Sequence, residues 1–183
     1  VRKLIMWNLI TLDGYFEGEK NWDLPWHEKV WGEELEIFSL EQLESADALF
    51  FGRVTYEGMA AYWQTAQGNI ADYMNSLPKV VCSRTLQTAA WNNTTLVRDD
   101  VVGEVARLKQ QGNGNIYVFG SANLSKTLMS ARLFDEYRLC VAPVFYGKGR
   151  LLFGDGLKPQ ELKLLESRPL STGCVILRYQ GMP

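Results

Sequence analysis

Near the start of the chain, Asp13, His27 and Glu28 are the side chains able to pass a proton to or from a ligand, directly or through a held water. Each has a plainer reading. Asp13-Gly14 carries the signal of an Asx turn, and His27, the sole histidine, can equally be a solvated residue opening a helix. Asn8 lies inside an apolar run. Facing a cleft it would orient a substrate; facing the core it would be a satisfied amide. Tyr15, Trp22 and Tyr56 offer flat surfaces on which a planar ligand can stack, with ordinary packing as the alternative.

A second set suits phosphate. In Gly52-Arg53-Val54-Thr55, glycine lets an anion approach the backbone, Arg53 offers a cationic fork, and Thr55 can donate its hydroxyl. Ser83-Arg84-Thr85 suits the 2′-phosphate that separates NADP from NAD. In Phe119-Gly120-Ser121-Ala122-Asn123, small residues would bring a pyrophosphate to a helix N-terminus, although the spacing is not GxGxxG. A capped helix, a polar loop and a tight strand-to-helix turn would read the same way.

The elements that must position these residues alternate. Strands are expected over 4–9, 47–51, 78–82, 94–97 and 115–119. Helices are expected over 27–43, 55–63, 69–77, 99–110 and 122–131, and residues 13–18 read as a loop. Beyond these, 133–145, 162–168 and 174–179 read as strands. Strand–helix alternation followed by a β-rich tail implies an α/β fold, mostly parallel with an antiparallel edge. With 183 residues and no linker, a single domain over 1–183 is expected.

Composition narrows the function classes. A net charge of -2 gives no general attraction to nucleic acid or to an anionic membrane. No run approaches a membrane span, and the apolar start lacks the features of a signal peptide, so a cytoplasmic protein is expected. Cys82, Cys140 and Cys174, widely spaced and with one histidine, do not form a structural zinc pattern. They read as buried thiols in a reducing compartment, and no metal is expected.

Taken in order, these segments resemble a known family. Gly52-Arg53-Val54-Thr55-Tyr56-Glu57 is similar to a segment of dihydrofolate reductases, and the strand ends at Ser83-Arg84-Thr85 and Gly120-Ser121 follow at similar intervals. Leu12-Asp13-Gly14-Tyr15-Phe16 resembles the first loop of the riboflavin-biosynthesis reductase, the RibD C-terminal domain. The run from Leu133-Phe134-Asp135-Glu136 through Pro143, Gly147 and Gly149 to Leu152-Phe153 is similar to that branch.

The resemblance implies a dihydrofolate reductase-like three-layer fold with a central sheet of about eight strands, and NADP(H) as cofactor. It places Gly52, Arg53, Val54 and Thr55 on phosphates and Ser83, Arg84 and Thr85 around the 2′-phosphate. Phe119, Gly120, Ser121, Ala122, Asn123 and Leu124 would cover the pyrophosphate and nicotinamide side. Asp13 to Phe16 would lie over the nicotinamide. Dihydrofolate reductases place a carboxylate two residues after the proline of the tryptophan loop; here Trp22-Asp23-Leu24-Pro25 leads to His27, then Glu28. The zinc ligands of the riboflavin enzyme's deaminase half have no counterpart, so a stand-alone reductase domain is expected.

The expected activity is NADPH-dependent reduction of a small pterin-like or ribosyl- or ribityl-aminopyrimidine-like substrate. The alternatives are a non-catalytic NADP(H)-binding module with the same fold, and an interaction protein using its aromatics. A homodimer through an edge or face of the apolar C-terminal strands, Leu139 to Phe145 and Val175 to Tyr179, is also expected.

Overall fold

A buried run of side chains, apolar except for Asn8 and Thr11, makes β1 (Leu4–Thr11) the middle of a sheet, with Leu4, Ile5 and Met6 exposing nothing to solvent. The computed structural model, which describes residues 2–183, builds seven further strands around it. On one side lie β6 (Asn115–Phe119), β3 (Ala46–Gly52), β4 (Lys79–Cys82) and β5 (Thr94–Val97), all parallel. On the other, β7 (Glu136–Ala142) runs parallel to β1, followed by the antiparallel β10 (Val175–Gly181) and β9 (Leu162–Pro169). The order β5-β4-β3-β6-β1-β7-β10-β9 is the expected mostly parallel sheet with an antiparallel C-terminal edge.

Alternating side chains of these strands feed two apolar layers. Ile5, Trp7, Leu49 and Phe51 pack with residues of α1 (His27–Val30), α2 (Glu33–Glu44), α3 (Arg53–Trp63) and α4 (Asn69–Ser76). Leu4, Met6, Phe50 and Val118 pack with α5 (Val101–Lys109) and α6 (Ala122–Ser130). Cys140 and Cys174 are buried, as expected, while Cys82 is only half-buried because it ends β4. Among the described residues, no helix is long and apolar enough to cross a membrane.

Three expectations fail locally. The helix expected over 27–43 breaks at Trp31 and Gly32, both extended. On one continuous helix Val30 and Leu35 would point about 140° apart; the break lets both reach the core. The strand expected over 133–145 is shorter. Leu133 instead closes the turn after α6, its N–H on Leu128 O, and Pro143 has no N–H to extend the ladder. The loop expected over 13–18 contains β2 (Tyr15–Glu17), which pairs with the distant β8 (Arg150–Leu151).

Candidate functional site

β1, β3, β4 and β6 carry residues at or near their carboxyl ends, and β5 the residues after it, into one cleft of about 1120 Å³. This is where an open α/β sheet gathers unpaired backbone donors. β3 runs straight into α3 at Gly52, and β6 runs into α6 through Gly120 and Ser121, both with positive φ. No side chain caps either helix, so both sets of first-turn N–H groups stay available to an anion.

Two glycines permit the close approach of these turns. A Cβ on Gly52 would collide with the Ser121 hydroxyl, and one on Gly120 would lie 2.8 Å from Thr55 Oγ1. Gly120 N–H donates to Asn8 Oδ1 at 3.0 Å, which ties β6 to β1. Asn8 is 3% exposed and its Nδ2 has no partner.

Three arginines stand at this end, one after each of β3, β4 and β5. Arg53 pairs with Glu57 at 2.8 Å and Arg84 with Asp99 at 3.1 Å, all four groups well exposed. Exposed pairs of this kind contribute little, so both guanidinium groups can turn to a phosphate at small cost. Arg98 holds the intervening loop through Arg84 O and Gln87 O. It was not singled out from the sequence, although it repeats the strand-then-arginine pattern of Arg53 and Arg84.

Of the sequence candidates, Asn8, Trp22, His27, Glu28, Gly52 to Thr55, Ser83, Arg84 and Phe119 to Leu124 all line this cleft. The Trp22 indole lies against Gly58 of α3, where a Cβ would strike its ring. His27 is half-buried, edge-on to the Trp26 ring at 4.3 Å, and its Nε2 has no partner. Burial pushes its pKa down to about 4, so the ring is neutral near pH 7.

Four candidates lie outside the cleft lining. Asp13 accepts from Tyr146 N at 3.0 Å, Gly147 N at 2.8 Å and Thr11 Oγ1 at 2.6 Å, pinning a distant turn. Desolvation raises its pKa, but these hydrogen bonds outweigh it and hold the carboxyl below its ordinary value. It is therefore an ionised turn anchor and not a proton donor. Tyr15 belongs to the β2–β8 ribbon. Tyr56 is 4% exposed, its hydroxyl accepting from Trp91 N and donating to Thr94 Oγ1, so it braces β5. Thr85 N–H donates to Ser83 Oγ and serves the loop turn.

The sequence also concealed Glu17 and Arg150, paired at 3.1 Å across β2 and β8 and both lining the cleft. Glu17 is 5% exposed and also accepts from Trp22 N at 3.0 Å, which fixes the tryptophan loop.

Comparison with known proteins follows the same lines. The RibD C-terminal domain family pattern matches residues 2–176. The uncharacterized protein YyaP of Bacillus subtilis (strain 168) is 29% identical over 183 residues, covering 97% of this chain and 94% of that protein. A putative riboflavin biosynthesis protein from Shewanella sp. PV-4 superposes with a TM-score of 0.80 at 20% identity, over 99% of both chains. Dihydrofolate reductase from Enterococcus faecalis, complexed with NADP(H), superposes with a TM-score of 0.65 at 15% identity, over 99% of this chain and 97% of that one. The fold is thus dihydrofolate reductase-like.

Proposed function

The chain belongs to the RibD C-terminal domain family, and we propose that it is an NADPH-dependent reductase acting on a small heterocycle of the pterin or aminopyrimidine kind. One observation carries this reading: three arginines and two uncapped helix N-termini converge on a single cleft. That donor set matches a phosphorylated dinucleotide in charge and in hydrogen-bonding sense. Arg84 and Arg98 would hold the 2′-phosphate, while Arg53, Thr55 and the first turns of α3 and α6 would hold the pyrophosphate.

NADPH, when bound, supplies the hydride and leaves as NADP⁺. The chain itself positions the substrate and keeps water out. Trp22 closes over α3, Asn8 offers a free amide donor, and neutral His27 offers a hydrogen bond without carrying a spare proton at neutral pH. Glu28, exposed at the cleft, is left to relay a proton from water.

Binding decides the first step. NADPH is expected to bind at least tenfold more tightly than NADH, read by quenching of tryptophan fluorescence. Equal affinity, or no binding of either, would remove the reading. NADPH bound without oxidation across pteridines, pyrimidines and small carbonyls would point to the non-catalytic module.

The strands expected to carry a dimer contact lie inside the sheet as β7 and β10, so we further propose a homodimer through the edge strand β9 instead. Leu162, Leu164 and Leu165 of the edge strand β9 are 40%, 52% and 43% exposed, a row that a lone chain would leave open to association. Light scattering should give twice the chain mass, and Leu164→Lys should shift it toward the single chain. A monomeric wild-type protein would contradict this.

A further inference from the structure

The cleft is larger than one ligand needs. Single small-molecule sites measure roughly 300–1,000 Å³, and this one, at about 1120 Å³, continues past the arginines along α2, α3 and α4. Leu43, Met59, Trp63, Ile70 and Met74 wall that continuation against Trp7 of β1. The polar side chains that α2 brings to it are neutral, and each makes a hydrogen bond within the protein. Ser39 donates to Leu35 O at 2.7 Å, and Gln42 Oε1 accepts from Arg138 at 3.3 Å.

Charge is distributed unevenly along the lining. Its cations are Arg53, Arg84, Arg98 and Arg150, with no lysine among them. The first three stand at the strand ends already described. Arg150 is held by Glu17, and Glu17 is buried, so an anion drawing Arg150 away would strand a buried carboxylate. The exposed partners of Arg53 and Arg84 can instead be released to water. An anion in the apolar continuation would therefore be desolvated without a counter-charge.

We propose that this chamber takes an uncharged, flat, largely apolar ring whose one polar edge meets Asn8 Nδ2 and His27 Nε2, and that it does not admit a phosphorylated sugar. Those two atoms are, among the described residues, the buried side-chain polar atoms of the lining that lack a partner. The proposal rests on the reductase reading, because it assumes that the arginine end is filled by the coenzyme. It narrows the substrate to a neutral ring with a lactam-like or carbonyl edge, since that edge can accept from the amide and pair with a neutral imidazole.

The test is a titration of the NADPH-saturated protein, followed by tryptophan fluorescence, with isoquinolone as the neutral bicyclic lactam and uridine monophosphate as the phosphorylated pyrimidine. Isoquinolone is expected to bind at least tenfold more tightly. Ile70→Glu, which puts a carboxylate on the half-buried chamber wall, is expected to weaken isoquinolone at least tenfold and leave NADPH affinity unchanged. Tyr62→Glu at the exposed rim should weaken it in the same sense, and serves if Ile70→Glu does not fold. Uridine monophosphate binding as tightly as the lactam, or a lactam affinity indifferent to the folded variant, would overturn the chamber assignment. If NADPH itself failed to bind, the reductase reading would fall instead, and isoquinolone titrated into coenzyme-free wild type and the folded variant would still decide the chamber.

Discussion

His27 and Asp13 show how far a residue's type is from its role. Both can carry a proton, yet burial keeps one neutral and hydrogen bonds keep the other ionised. The turn that Asp13 pins lies 133 residues away, so nothing near Asp13-Gly14 could reveal it. Glu17 and Arg150 were hidden for the same reason. Arg53 and Arg84 were legible because each follows a buried apolar strand within two residues, and Arg98 was missed because β5 is half-exposed. His27 also makes stability depend on pH. Its folded pKa lies below the unfolded value of 6.5, so between about pH 6.5 and 4 the unfolded chain takes up a proton that the folded chain refuses. Stability is intact above that window and falls as pH drops through it, by about 2 kcal/mol at about pH 5. His27→Gln should remove this part of the decline, read as the difference between urea midpoints of wild type and variant at about pH 7 and 5. An unchanged slope would place His27 in water.

At the scale of elements, the strand-to-helix turns matter more than the helices they join. Strand existence was legible from apolar runs, and all eight strands of the sheet were anticipated along the chain, but their spatial order was not. The short β2–β8 ribbon was not, because two or three residues carry no period. The break between α1 and α2 lay concealed in a continuous helical pattern, since only the position of the core decides which face must turn inward. Gly120 is the junction that combines a positive φ, 57°, with Thr55 Oγ1 in the space a side chain would need. Gly120→Ala should cost about 2 kcal/mol in chemical denaturation, combining left-handed backbone strain with the clash. NADPH affinity should drop with it, because the Asn8 link and the α6 first turn would both move. A fully stable variant that binds coenzyme normally would mean that the junction tolerates a wider turn.

Across the whole molecule, the sheet divides the labour. Its parallel half gathers donors at one end, and its antiparallel half extends the apolar surface that closes the core and reaches β9. The charge of -2 hides this arrangement, because Arg53, Arg84 and Arg98 gather at one end of a cleft whose lining also holds Glu17, Glu28, Asp99 and Asp100. The reductase reading stands or falls on those arginines acting together on one ligand. The direct measurement is the dissociation constant of NADPH for wild type and for the Arg53→Ala/Arg84→Ala double variant at low salt. Loss of two charge-assisted contacts to phosphate, each about 1.5–3 kcal/mol, predicts affinity weakened at least a hundredfold, with the fold intact by circular dichroism. A folded double variant that binds NADPH as tightly as wild type would contradict the account.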